Sequence, residues 1–144
     1  MAPTIASEST VSASHNVKPI VAINDGLIPK DAEDRTLPYY HWWPKEGTTE
    51  WISYNFDSEK TISRSTVYWY DDKPWGGCKV PDYWKIYYKD SNDEWIPVEN
   101  TTDYGLEKGL PNEVIFKSVK TTAVKIEIKL AEKNAAGVFE WEVE

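Results

Sequence analysis

Val124-Lys125-Ile126-Glu127-Ile128-Lys129-Leu130 alternates apolar and charged side chains without a break. Successive side chains of a strand point to opposite faces. The stretch therefore predicts a strand that buries Val124, Ile126, Ile128 and Leu130 and leaves Lys125, Glu127 and Lys129 in water. The same period of two recurs on either side. Phe139, Trp141 and Val143 alternate with Glu140, Glu142 and Glu144. Trp84, Ile86 and Tyr88 alternate with Lys85, Tyr87 and Lys89, and the turn Asp90 to Glu94 leads into Trp95 to Val98 as a hairpin. Ile52, Tyr54 and Phe56 oppose Trp51, Ser53 and Asn55, while Ser65 to Tyr70 is β-branched and aromatic enough to be buried on much of both faces. Val114 to Phe116 adds a short strand, and Val11 with Ala13, then Ile20 to Ile23, read as short early ones. No segment keeps a helical period. Eight or so short strands with Gly- and Pro-bearing turns predict an all-β sandwich or jelly roll.

A chain of 144 residues fits one domain. Residues 1–9 are small and polar and are expected to be a linker or lead-in, with the domain over 10–144. The single cysteine, Cys78, excludes an internal disulfide and a thiolate metal cluster. A formal charge of −8 argues against nucleic acid, whose affinity comes largely from Lys and Arg on phosphates, and against an anionic membrane surface. A neutral sugar carries no such preference. Met1 to Ser9 lacks a basic region followed by an apolar run, so no signal peptide is visible, although the chain can equally be a segment of a longer secreted protein.

The unusual feature is aromatic: 8 Trp, 9 Tyr and 3 Phe. A sugar ring has an apolar C–H face that an exposed Trp or Tyr can cover, and burying ~60 Å² there contributes about 1.5 kcal/mol. Two or three polar contacts at about 1 kcal/mol each then make a dissociation constant near millimolar reasonable. Three loops supply such groups. Asn24 to Thr49, interrupted by Gly26, Pro29, Pro38, Pro44 and Gly47, holds Arg35, Tyr39, Tyr40, His41, Trp42 and Trp43. If the chain is extended there, Trp42 and Trp43 point in opposite directions, one into the core and one out. Asp71 to Pro81 contains Gly76 and Gly77, which permit a tight turn presenting Trp75. In that loop Asp71 and Asp72 can accept sugar hydroxyls and Lys79 can donate. The third loop, about Glu99 to Asn112, offers Tyr104. Catalysis finds little support: neighbouring Asp71 and Asp72 diverge in an extended chain and cannot flank one glycosidic bond. His15 and His41 are the only histidines, and there is no nucleophile elbow or phosphate loop.

An ordered set of motifs is familiar. It runs from Thr10 to Ser14, through Ala22-Ile23-Asn24-Asp25-Gly26, Trp43 and Thr49 to Phe56, to Val67-Tyr68-Trp69 and Trp84 to Lys89. It continues with Trp95 to Val98, Val124 to Ile128 and Phe139 to Val143. Together these resemble the F5/8 type C (discoidin) domains and their glycan-binding relatives, the family 32 carbohydrate-binding modules. The resemblance implies an eight-stranded antiparallel jelly roll of the galactose-binding-domain kind, with ligand loops at one end. It implies a non-catalytic module of a larger, commonly bacterial and secreted, glycoside hydrolase, exported or surface-held with its parent. Other relatives contact phospholipid or protein, so a structural or protein-contacting domain with a degenerate sugar site is the alternative. By the same resemblance Trp43 is the core residue and Trp42 the platform. The family often holds a structural calcium ion, for which Asp25 and Glu140 match two ligand positions. His41 stands where a Thr ligand is expected, a departure that Asp31, Glu33 or Asp34 would have to compensate.

Overall fold

The computed structural model describes residues 2–144. Seven strands form among them: β1 (Thr10–Ala13), β2 (Tyr40–His41), β3 (Thr49–Tyr70), β4 (Tyr83–Lys89), β5 (Trp95–Pro97), β6 (Asn112–Lys129) and β7 (Gly137–Val143). All strand pairings are antiparallel, in the order β2-β7-β3-β6-β4-β5, with β1 on β3. The expected architecture, an all-β antiparallel sandwich, is the one observed. The strands number seven where about eight are expected: β3 and β6, 22 and 18 residues long, each unite two of the expected runs, Ile20 to Ile23 is not a strand, and β2 is an added one. Their register shifts between Asn55 and Lys60 and again between Ile62 and Arg64. Such irregularities bend a strand, so that its first half lies with β1 and its last half with β7.

The apolar half of the alternation read from the sequence is buried, while of the outward half Ser53 and Glu140 are covered as well. Val124, Ile126, Ile128 and Leu130 are fully buried, as are Ile52, Tyr54, Trp84, Ile86 and Trp141. Aromatic packing fills the space between the layers. Tyr54 stacks on Trp141 at 4.0 Å, and Trp69 meets Trp84 edge-on at 5.6 Å. Each buried ring contributes roughly 2–3 kcal/mol, and the polar handles are mostly satisfied: Trp84 Nε1 donates to Gly105 O and Trp141 Nε1 to Ser65 Oγ, both at 2.8 Å.

Two early expectations are corrected. Ile20–Asn24 is a 3-10 turn, not a strand, closed by Ala22 N–H on Pro19 O at 3.1 Å. Its Ala22 and Ile23 are buried side by side while Val21 is 62% exposed, as one tight turn packed against the sandwich allows. Of the expected lead-in, Met1 lies outside the described residues, but the segment packs from Thr4 onwards. Thr4 and Ser7 exchange backbone-to-hydroxyl bonds of 2.8 and 3.0 Å, and Ala6 is buried beneath Asn24, whose Nδ2 donates to its carbonyl at 2.8 Å.

Candidate ligand site at the sandwich rim

The site begins with the parity of β2. Tyr40 pairs with Val138 and His41 with Gly137 on β7, which fixes the face of every neighbour. Tyr40 and Trp42 are fully buried, the Tyr40 hydroxyl donating to His15 O at 2.5 Å and Trp42 Nε1 to Ser14 Oγ at 3.1 Å. Tyr39, His41 and Trp43 therefore emerge on the opposite side, and Trp43 is 48% exposed. This reverses the expected pair: Trp42 is the core residue and Trp43 the outward ring. The reason is strand pairing, since Trp42 N–H continues the ladder to Ala136 O at 3.1 Å and keeps the two-residue alternation running past His41.

The loop from Asp71 to Val80 closes over this face, and its own carboxylates knit it together. Asp71 is buried; one oxygen accepts Lys73 N–H and the other Val80 N–H, both at 3.0 Å. Asp72 accepts Cys78 N–H at 2.9 Å and the Tyr70 hydroxyl at 3.1 Å. Its carbonyl takes Trp75 and Gly76 N–H at 2.8 and 2.9 Å. The loop's far side is bonded to the segment before β7 by Ala135 N–H on Gly77 O and Lys79 N–H on Ala135 O, at 2.8 and 2.9 Å. Two glycines are required by close approach. A Cβ at Gly76 would stand 1.9 Å from Asp72 Oδ2, and one at Gly77 would stand 2.4 Å from the Trp43 ring. The Trp43 indole thus lies directly against the Gly77 backbone.

Between strand and loop lies a cavity of about 210 Å³ lined by Tyr39, His41, Trp43, Asp72, Gly77 and Cys78. Tyr39 is held by stacking on Tyr70 at 3.7 Å, 5.7 Å from the His41 ring. The buried His41 Nδ1 has no hydrogen-bond partner among the described residues. Burial, reinforced by the nearby His15, holds the His41 pKa below the ordinary histidine range, against the opposing pull of the Trp43 carbonyl and Asp72. A neutral imidazole in such a place offers one donor and one acceptor. Burial pushes the Cys78 thiol up to about 12, so it stays protonated and is no nucleophile.

The other expected contacts are distributed unevenly. Trp75 stands 81% exposed on the same loop, outside the cavity wall. Lys79 is exposed beside Cys78. Asp71 lies beneath the loop with both oxygens engaged, which makes it scaffolding where a sugar contact was expected. Tyr104 is not in the cluster: its hydroxyl accepts Ile86 N–H at 3.0 Å and its ring packs edge-on against core Trp84 at 4.9 Å. Arg35 does not line the cavity, and reaches Glu33 at 4.0 Å with its side chain 71% exposed.

At a separate place, Glu140 on β7 is buried beside Asp25, and its Oε1 accepts Gly26 N–H at 3.0 Å. Burial and the adjacent Asp25 carboxyl push Glu140 up to about 9. Asp25 itself accepts Leu27 N–H at 2.9 Å. Of the residues expected to complete a calcium shell, Asp34 is unsuitable. It is tied to Thr36 Oγ1 and to Lys30 and Thr36 N–H, which lower its pKa to about 2. His41 lines the rim cavity. No group of three or more His, Cys, Asp or Glu side chains gathers for a metal among the described residues. The two carboxyls with no cation beside them nevertheless suit a hard cation completed by backbone carbonyls.

The F5/8 type C domain model matches residues 4–142, nearly the whole chain. The chain belongs to the F5/8 type C family. Solved structures agree on the fold. One is a chain of the Streptococcus pneumoniae β-galactosidase BgaA (TM-score 0.78, 18% identity, covering 94% of this chain and 90% of that one). A Clostridium perfringens family 32 carbohydrate-binding module in complex with GalNAc-β-1,3-galactose is similar at TM-score 0.69 and 13% identity, with 99% of each chain covered. The family 32 module of Streptococcus pneumoniae EndoD follows at 0.68 and 12%, again with 99% of each covered.

Sequence reasoning put Trp43 in the core, named Tyr39 only as one of the loop aromatics and Gly77 only as a turn residue, whereas in this F5/8 type C domain all three line the rim cavity. A signal was present: strict alternation through Tyr39, His41 and Trp43 places all three on one face once Tyr40 is put in the core. The resemblance to relatives outweighed that parity and pointed to the wrong tryptophan.

Proposed function

We propose that this F5/8 type C domain is a non-catalytic carbohydrate-binding module whose rim cavity receives one neutral sugar unit. The observation that carries the reading is the exposed Trp43 ring set against Gly77, beside the unpartnered His41 Nδ1 and Asp72. The ring would cover the C–H face of a pyranose, and the free His41 Nδ1 would meet one of its hydroxyls above the loop that Asp72 braces. Trp75 would extend the platform outside the cavity. In the parent protein the module would hold a tethered, exported glycoside hydrolase near its glycan, raising local substrate concentration without touching the active site. The sugar complex of the similar Clostridium perfringens module supports the ligand class. Bound calcium belongs to the same reading: Asp25 and Glu140 would supply its carboxylate oxygens and the ion would brace the start of the first long loop.

NMR titration with galactose, N-acetylgalactosamine and N-acetylglucosamine tests the reading. Saturable shifts at Trp43 and His41 with a midpoint near millimolar are expected, and Trp43→Ala weakens them at least about tenfold. No saturable shift across a broad sugar panel sinks it. That outcome favours the second reading, a protein-contacting domain of its parent enzyme, for which the commitment of all four Asp71 and Asp72 oxygens to the loop itself is the specific support.

A further inference from the structure

Away from the rim, the outward face of β4, β5 and β6 carries a different arrangement. On β4, Tyr83, Lys85, Tyr87 and Lys89 point away from buried Trp84 and Ile86; on β6, Lys125, Glu127 and Lys129 point away from Val124, Ile126 and Ile128. Register sets Lys125 beside Tyr87, Glu127 beside Lys85, and Lys89 beside Trp95. The Lys125 ammonium lies 4.8 Å from the Trp95 ring centre and 5.4 Å from that of Tyr87. Lys89 stands 5.2 Å over Trp95, and Lys85 5.5 Å from Tyr83.

One sheet face thus carries Lys85, Lys89 and Lys125 against Glu127, with Lys129 at its end turned onto the carbonyls of Gly47 and Leu130, on a chain whose formal charge is −8. Lys89 reaches Asp93 in the hairpin turn at 3.2 Å. Neither Lys85 nor Lys125 has a carboxylate within 4.0 Å among the described residues. Gathering like charges is unfavourable. Each ring attracts its ammonium and holds it in place, so less ordering remains to be done when an anion arrives.

We propose that this face is a second binding surface, separate from the rim, for an anionic sugar polymer whose uronate carboxylates meet Lys85, Lys89 and Lys125. Two features favour a glycan over other polyanions. The lysines are interleaved with the half-exposed Tyr87 and Trp95, whose edges suit sugar C–H groups. Lys125 on β6 lies diagonally between Lys85 and Lys89 on β4, and diagonal neighbours stand about 7–8 Å apart, so the three ammoniums line a path along which an extended sugar chain can run. A nucleic acid, with one charge per ~1.7 Å of duplex, would meet the strongest repulsion from the acidic remainder of the domain. The inference does not depend on the rim reading, and Trp43→Ala separates the two.

Affinity electrophoresis of the intact chain through gels containing polygalacturonate or neutral galactan is the test. Retardation by polygalacturonate is expected to weaken about three- to tenfold in the Lys85→Gln/Lys125→Gln double variant, to persist in Trp43→Ala, and to fade at high salt. Amide shifts of the unaltered protein with oligogalacturonate give the same answer without a variant: Lys125 and Trp95 move and Trp43 does not. The proposal is overturned by no retardation, by undiminished retardation of a folded double variant, or by equal loss in Trp43→Ala. Equal retention of the protein by duplex DNA or by phosphatidylserine vesicles also overturns it, because the face would then be an unselective cationic patch.

Discussion

Two acidic pairs in this molecule use the same chemistry to opposite ends. Asp71 and Asp72 sit in a loop where every carboxylate oxygen has found a donor: three backbone N–H groups and the Tyr70 hydroxyl. Asp25 and Glu140 face each other with only the Gly26 and Leu27 N–H groups between them, and Glu140 is held protonated to about pH 9. A carboxylate satisfied by amides is a strut; it fixes backbone and has little left for a ligand. A buried pair short of donors retains a proton or calls for a cation. Acidic residues in a binding loop are therefore read by what their oxygens already hold, and the rim's recognition falls to Trp43, His41 and Trp75.

The sharpest way to break the contrast is to remove a strut. Asp71→Ala leaves the half-buried Lys73 and Val80 N–H groups without their acceptor, and a loss of about 3 kcal/mol in chemical denaturation is expected. Sugar affinity falls with it, because the loop that backs Trp43 loosens. If Asp71→Ala keeps full stability and loses only binding, Asp71 contacts the ligand and the strut assignment is wrong.

The second pair behaves oppositely with pH. A carboxyl raised from about 4.5 to about 9 on folding binds more protons in the folded chain throughout that window. Folding stability in chelator therefore falls as pH rises from about 4.5 towards 9. Glu140→Gln, which cannot ionise, flattens that fall. Calcium at pH 8 should recover much of the loss in the natural chain and nothing in the Gln variant, read as thermal midpoints with calcium and with chelator. A pH slope identical in both proteins would remove Glu140 from the argument, and equal calcium response would remove it from the ion's ligands.

Much of this contrast lay beyond the sequence, for physical reasons. The alternation of Val124 to Leu130 and of Trp84 to Tyr88 announced both strand type and facing, because hydrophobic burial acts at a spacing of two residues. The short apolar run Ile20 to Ile23 did not, since a single turn beside Pro19 buries two successive residues as readily as a strand buries alternate ones. The bends in β3 and β6 depend on partner strands far away in the chain. Likewise nothing local to Asp71-Asp72 says that Val80 and Cys78 will return to donate to them. Glu140 was legible as a position, from its place in the family pattern, but its burial beside Asp25 follows only from the pairing of β7 with β3.

The smallest expected effect concerns the one titrating group that the rim cavity leaves unsatisfied. His41 is neutral at pH 7 and stays so below the ordinary histidine value of about 6.5, because burial and His15 both disfavour its charge. Neutral, its ring can donate to one sugar hydroxyl and accept from another; charged, it can only donate. Sugar affinity should accordingly drop by about fivefold on acidification as the ring protonates, at lower pH than for an ordinary histidine, the worth of one lost hydrogen bond of roughly 1 kcal/mol. His41→Asn, which keeps a donor and an acceptor but does not titrate, should bind with no acid-side fall. The comparison isolates His41 from the struts beneath it, since Asp71 and Asp72 hold the loop in both proteins. If the acid-side loss survives in His41→Asn, the titrating group lies elsewhere, and the imidazole is a wall of the cavity with no part in gripping the sugar.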